Sequence, residues 1–199
     1  MIRRYKNAVK NPAAVIALIL LISIPLNAFG ASAYLDNDIS RQIEATGAYL
    51  VKTINNPSYG TVGGDWAIIG LARSEFDMPS GYVEKYVKNI ETLMTEKKGE
   101  LTRNKYSDYS RLILALTALG KDPTDIAGYD LTAKLSDLEA VGKQGVNGPI
   151  YALIALDSFD YEIPPKADAS VQASRELFLK SILDRELPNG GFSLSGSVA

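Results

Sequence analysis

The chain has 199 residues, 46% hydrophobic and 22% charged, with a formal net charge of −2 and neither cysteine nor histidine. That length is enough for one domain with its own core, and the missing cysteine rules out a disulfide framework. Without histidine or cysteine there is no Ser-His-Asp or Cys-His nucleophile, and the sequence contains no GxxxxGK[ST] phosphate loop.

Residues 1–33 read as an export signal. Arg3, Arg4, Lys6 and Lys10 precede an apolar stretch from Ala13 to Leu26, and Ala31-Ser32-Ala33 supplies a small-x-small cleavage site. An uncleaved anchor is the competing reading, since the apolar run is short but real; Pro25 and the triplet favour removal. The remainder, 34–199, carries 17 basic against 23 acidic residues, a net of −6. An acidic body argues against nucleic acid and against an anionic membrane surface. The expected location is extracellular or at the cell surface of a bacterium, through a Sec-type signal peptide, with cell-envelope association open.

The first mature helix is expected over Ile39–Ile54, where Ile39, Ile43, Tyr49, Leu50 and Ile54 form an incomplete apolar stripe. A connection rich in Pro and Gly follows over 55–64. A second helix begins at Asp65 or Trp66 and ends near Phe76. Gly81–Lys97 is amphipathic, with Tyr82, Val83, Tyr86, Val87, Ile90 and Leu93 or Met94 inward and Glu84, Lys85, Lys88 and Glu91 outward.

Tyr106–Pro123, YSDYSRLILALTALGKDP, is apolar on nearly every face over Arg111–Leu119 and is expected to be buried all round. Ser107 or Asp108 would cap it, Gly120 would supply a left-handed stop, and Pro123 would prevent continuation. Asp130–Val141 is a shorter amphipathic helix with Leu131, Leu135 and Leu138 inward. Asn147–Asp157 is again all-apolar, with Asn147 as cap and Pro149 in the first turn. Ala167–Leu187 is a long amphipathic helix burying Val171, Leu177, Leu179, Ile182 and Leu183. The chain closes in a turn-rich segment, LPNGGFSLSGSVA.

Three apolar helices, opening at Asp65, Ser107 and Asn147, recur at intervals of 42 and 40 residues and alternate with half-apolar ones. A period in this range marks an array of helix pairs. Inner helices buried throughout and outer helices wet on one side form an α/α toroid. The expected fold class is therefore all-α, an α/α toroid of helical hairpins, with little or no sheet. A closed ring of six pairs needs about 250 residues at this period, so the domain over 34–199 is expected to be truncated at its C-terminus or to form an open arc.

The segments GGDWAIIGLAR (Gly63–Arg73), KYSDYSRLILALTALGKDP (Lys105–Pro123), NGPIYALIALDS (Asn147–Ser158) and LPNGGFSLSG (Leu187–Gly196) resemble the α/α-toroid superfamily of terpene cyclases and prenyltransferases. They look closest to its exported bacterial prenyltransferase and squalene oxidase repeat members. The last segment resembles a degenerate QW repeat, with Leu187 in place of glutamine and Phe192 in place of tryptophan. The resemblance covers most of 36–199 and is more specific for fold than for activity. Protein prenyltransferases of this fold bind zinc through Asp, Cys and His, which cannot be assembled here. Class II cyclases use an Asp-x-Asp-Asp acid; the nearest match, Asp36-Asn37-Asp38, lacks the third Asp and reads as charge at a helix N-terminus.

One pair of carboxylates bears on catalysis. Asp65 and Asp108 lie near the starts of successive inner helices, a spacing compatible with an inverting glycosidase; the plainer reading is capping, or pairing with Arg111. The same mouth would gather Trp66, Tyr106, Tyr109, Arg111, Asn147, Tyr151, Asn189 and Phe192. Aromatic faces with a few polar groups suit a sugar, a corrin or an isoprenoid; packing of the inner ring is the alternative. The reading as a whole is a non-catalytic binding or surface-interaction module, needing no cofactor or metal. It would take a small amphipathic ligand or a glycan at the toroid mouth. The rivals are a terpene-cyclase-like enzyme with its acid motif beyond Ala199 and a glycan-active hydrolase or lyase using Asp65 and Asp108.

Overall fold

The computed structural model describes the backbone over residues 27–194 and side chains over 37–194. Residues 1–26, on which the basic and apolar parts of the export signal fall, lie outside the described residues. The chain divides into two units, 1–42 and 43–199, and the hydrophobic core belongs to the second. Among the described residues there is no strand, only isolated bridges such as Ser58 with Gly64 and Glu186 with Phe192. No helix among them is long and apolar enough to cross a membrane.

Seven α-helices and one 3-10 turn make up the described chain. They are α1 (Asn27–Thr53), α2 (Asp65–Arg73), α3 (Tyr82–Glu96), α4 (Ser107–Ala118), the 3-10 turn Thr132–Leu135, α5 (Leu138–Gly142), α6 (Asn147–Asp157) and α7 (Arg175–Leu183). In the second unit, α2 packs on α4, α4 on α6, and α6 on both α5 and α7. The three apolar helices singled out by the 42- and 40-residue intervals are thus neighbours in chain order.

α4 is the central element. Tyr109, Leu112, Ile113, Ala115 and Leu116 are wholly buried, together with Ser110 and nearly all of Arg111. Each fully buried Leu or Ile side chain contributes about 1.5–3 kcal/mol relative to exposure. The helix stops as its sequence requires: Gly120 takes φ +65° and Lys121 N–H reaches back to the Leu116 carbonyl at 2.9 Å. α3 buries Tyr82, Tyr86, Ile90 and Met94, one residue per turn, so Met94 rather than Leu93 completes the stripe. Its first residue also ties it to the end of α1, Tyr82 hydroxyl donating to the Ile54 carbonyl at 2.9 Å.

Several boundaries differ from the sequence expectations. α1 begins at Asn27 rather than Ile39, and α2 ends at Arg73 rather than near Phe76. Past Arg73 the chain turns extended at Ser74, whose hydroxyl donates to Leu71 carbonyl and accepts from Phe76 N–H; the Phe76 ring then lies over Gly47 of α1.

The Asp130–Val141 helix is in fact two pieces. Asp130 accepts from Thr132 N–H, Thr132 Oγ1 and Ala133 N–H, while Asp137, in extended conformation, accepts from Glu139 and Ala140 N–H and starts α5 afresh. Short carboxylates that bond the local backbone compete with a continuous helix. The resulting α5 sits close to α6: a Cβ on Gly148 would lie 1.9 Å from the Val141 carbonyl oxygen.

α7 is nine residues long, not the whole of Ala167–Leu187, and is capped by Ser174, whose hydroxyl accepts from Leu177 N–H at 3.2 Å. Phe178 is its buried anchor; Val171, Leu179 and Leu183, expected inside, are exposed, and Leu177 and Ile182 are half-buried. The other apolar helices are not covered all round either. Trp66 on α2 is 41% exposed and Ile154 on α6 is 51% exposed, so burial on every side describes α4 alone.

Candidate functional site

The polar centre of the core is built from the starts of α2 and α4, together with Tyr86 of α3 and the loop before α2. In that loop Gly60 bends back so that its carbonyl accepts from Gly64 and Asp65 N–H at 3.1 and 3.2 Å, with Gly64 at φ +142° in the capping position. This turn leaves Asp65 as the first residue of α2 rather than its cap. Its carboxylate accepts instead from Gly60 N–H at 3.0 Å, Tyr86 hydroxyl at 2.9 Å and Arg111 Nε at 2.9 Å. Arg111 Nη1 spans to Asp108 at 2.9 Å, and the other Asp108 oxygen accepts from Tyr59 hydroxyl at 2.9 Å. The Tyr59 ring also lies under the guanidinium, 5.9 Å from centroid to carbon. One guanidinium therefore joins both carboxylates, and a tyrosine closes the ring of contacts.

The electrostatics fit a fixed strut. Burial pushes the Asp65 carboxyl above its ordinary range, opposed by Arg111, the Gly60 N–H and Tyr86. Desolvation works to lower the Arg111 value, but Asp65 and Asp108 outweigh it and hold the guanidinium charged. Burial first, and then the neighbouring carboxylates, raise Tyr86 and Tyr59, so both remain protonated donors. Both oxygens of Asp65, both oxygens of Asp108, and Nε and Nη1 of Arg111 are hydrogen-bonded, and such pairing is the condition under which a buried charge is tolerated.

The residues expected to cap the inner helices do something else. None of Asp65, Ser107, Asp108 or Asn147 makes a side-chain capping bond; the capping positions are Gly64, Tyr106 and Val146. α4 is capped from outside by Gln144, whose amide oxygen accepts from Ser107 N–H at 2.8 Å while its nitrogen donates to Ser107 Oγ at 3.0 Å. Nothing near Ser107 in the sequence signals this partner, 37 residues away. Tyr59 and Tyr86 are likewise absent from the sequence-derived set, because only the fold brings them to the carboxylates.

Of the expected ligand contacts, Tyr109 is wholly buried. Its hydroxyl accepts from Leu101 N–H at 2.9 Å and donates to the Thr102 carbonyl at 3.3 Å, holding the loop before α4. Arg111 belongs to the strut. Trp66 and Asn147 are exposed, Tyr151 and Tyr106 are half-buried, and Asn189 and Phe192 are exposed on the final turn. That turn is tied to the start of α6 by Val146 N–H donating to the Leu194 carbonyl at 3.0 Å. For the acid pair, the Asp65 side chain has no solvent exposure and the Asp108 side chain is 19% exposed, so water reaches only the second. No group of three or more acidic side chains among the described residues is placed to hold a metal ion. Compared with protein-family models, curated proteins and solved structures, the chain matches none.

Proposed function

We propose that the chain is an exported, non-catalytic binding or surface-interaction module on an α/α-toroid-like scaffold. The observation that carries this reading is the commitment of both candidate carboxylates to one guanidinium, with Asp65 sealed from water. A general acid must reach the proton it transfers in a substrate complex, and Asp65 is already spoken for by three donors. The side-by-side packing of α2, α4 and α6 supports the toroid-like arrangement, because consecutive inner helices of such an array are neighbours.

The ligand end is the one where α2 and α6 begin, with Trp66, Asn147 and Tyr151 offering aromatic faces and an amide to a small amphipathic ligand or a glycan. Arg111 and Tyr109 support that end from within. Export through residues 1–33 would carry the module to the extracellular space or the cell surface.

Trp66 is the one tryptophan of the chain, so its emission reports on this end directly. Saturable change of that emission with a chito-oligosaccharide or an isoprenoid alcohol, lost in Tyr151→Ala, is the expected result. Turnover of isoprenoid diphosphates, squalene-like substrates or polysaccharides by the intact protein would overturn the reading.

A further inference from the structure

The opposite ends of α4 and α6 converge on a cleft of about 540 Å³. One wall is the stop of α4, Thr117 to Thr124, and the other is Phe159 to Glu162, the four residues that follow the end of α6 by one position. The two walls are joined where Tyr161 hydroxyl meets Thr117 Oγ1 at 2.9 Å. Thr117 spends its own proton on the Ile113 carbonyl, 2.8 Å away, so the tyrosine is the donor in that contact and its ring is held in place.

Beside it stands Phe159, 74% exposed, with its ring centroid 5.7 Å from that of Tyr161 and tilted by 42°. Phe159 is not among the core residues, yet it lines the cleft with most of its surface uncovered.

The charge around that face has one dominant sign. Asp122, Asp160 and Glu162 line the cleft against a single cation, Lys121. Two helix C-termini add partial negative charge of their own. Asp160 is partly answered by Arg175 at 3.5 Å, and Asp122 accepts from Thr124 N–H and hydroxyl. Glu162 makes no ion pair or side-chain hydrogen bond among the described residues, and Lys121 pairs with none of the three carboxylates. An aromatic face and a carboxylate attract the same species: a cation large enough to shed water onto a ring. Anionic ligands are repelled by the three carboxylates, which outnumber Lys121. A neutral sugar could stack on Phe159 but would be indifferent to Lys121 and to salt.

We propose that this cleft binds an organic ammonium group, seated on the ring of Phe159 and neutralised by Glu162 and Asp122. The site lies at the other end of α4 from the Asp65–Arg111 strut and does not rest on the binding-module reading. The test is calorimetric titration of the intact protein at low ionic strength with choline and, separately, with a trilysine peptide. Preference for choline identifies a free quaternary amine as the source of the cation; preference for trilysine identifies basic side chains of a peptide. Binding should weaken as salt rises. Phe159→Leu keeps the apolar volume and removes the ring quadrupole, so affinity should fall about threefold. Glu162→Gln should also weaken binding. Lys121→Gln should strengthen it about two- to fivefold by removing the one cation that lines the cleft. All three positions are exposed, and unchanged circular dichroism would establish that the variants fold. Failure of both ammonium probes to bind, affinity unmoved by Phe159→Leu, or binding of a chito-oligosaccharide in their stead would overturn the proposal.

Discussion

At the scale of single residues, Arg111 holds the most consequential position. It bridges two carboxylates contributed by different helices and rests on the Tyr59 ring, while only 8% of its side chain meets solvent. Removing one member of a buried pair strands the others, which costs about 3–5 kcal/mol. Arg111→Met is therefore expected to lower the urea midpoint severely. The double variant Asp65→Leu with Arg111→Met should recover much of the loss, since no unpaired buried charge remains at Asp65. Tyr86→Phe removes one hydrogen bond to a charged group and should cost about 1.5–3 kcal/mol. If Arg111→Met unfolded at the wild-type urea concentration, the strut would have no energetic role.

At the scale of elements, α5 depends on one side chain. Burial alone would raise the Asp137 carboxyl, but N–H groups of Ser170, Ala140 and Glu139 converge on it and hold it below the ordinary value of 3.8. A carboxyl whose folded value is depressed contributes stability above its unfolded value and loses it as pH falls through the folded value. The intact protein should thus lose stability as pH drops below about 4. Asp137→Asn, which cannot ionise, should be less stable at pH 7 and should show a shallower fall on the acid side. Matching urea curves at pH 7 and pH 3 for the two proteins would check both the sign and the slope. The same residue divides Asp130–Val141 into two pieces, because its extended backbone and local bonds are incompatible with an uninterrupted helix.

At the scale of the whole second unit, burial is graded. α4 has buried residues on nearly every face, whereas α7 keeps only Phe178 wholly inside and α6 leaves Ile154 half in water. Local opening free energies follow the buried contacts that must be broken. Native-state hydrogen exchange should therefore find the slowest amides between Leu112 and Leu116, intermediate rates in α2 and α6, and the fastest helical exchange in α7. Slow exchange in α7 with fast exchange in α4 would mean that the core is organised around a different element. The toroid-like arrangement proposed for this unit makes the same demand, since an inner helix flanked on both sides by its neighbours must open last.

The sequence by itself determined the helical class, the extents of α3, α4 and α6 to within a residue or two, the stop at Gly120, and the Tyr82–Tyr86–Ile90 stripe, with Leu93 and Met94 left as alternatives for its last position. These rest on periodicity, glycine geometry and the spacing of apolar residues, all of which act within one or two turns of the chain. It was also enough to suggest that Arg111 pairs with Asp65 or Asp108, though not that it pairs with both. Only the tertiary structure decided that Asp65 is a buried strut rather than a cap, that Gln144 closes the start of α4, and that Phe159 and Glu162 face Asp122 across a cleft. The reason is distance along the chain: Tyr86 and Arg111 reach Asp65 from 21 and 46 residues away. A polar side chain at a helix start has the same local signature whether it caps its own helix or serves a neighbour, and packing chooses between the two.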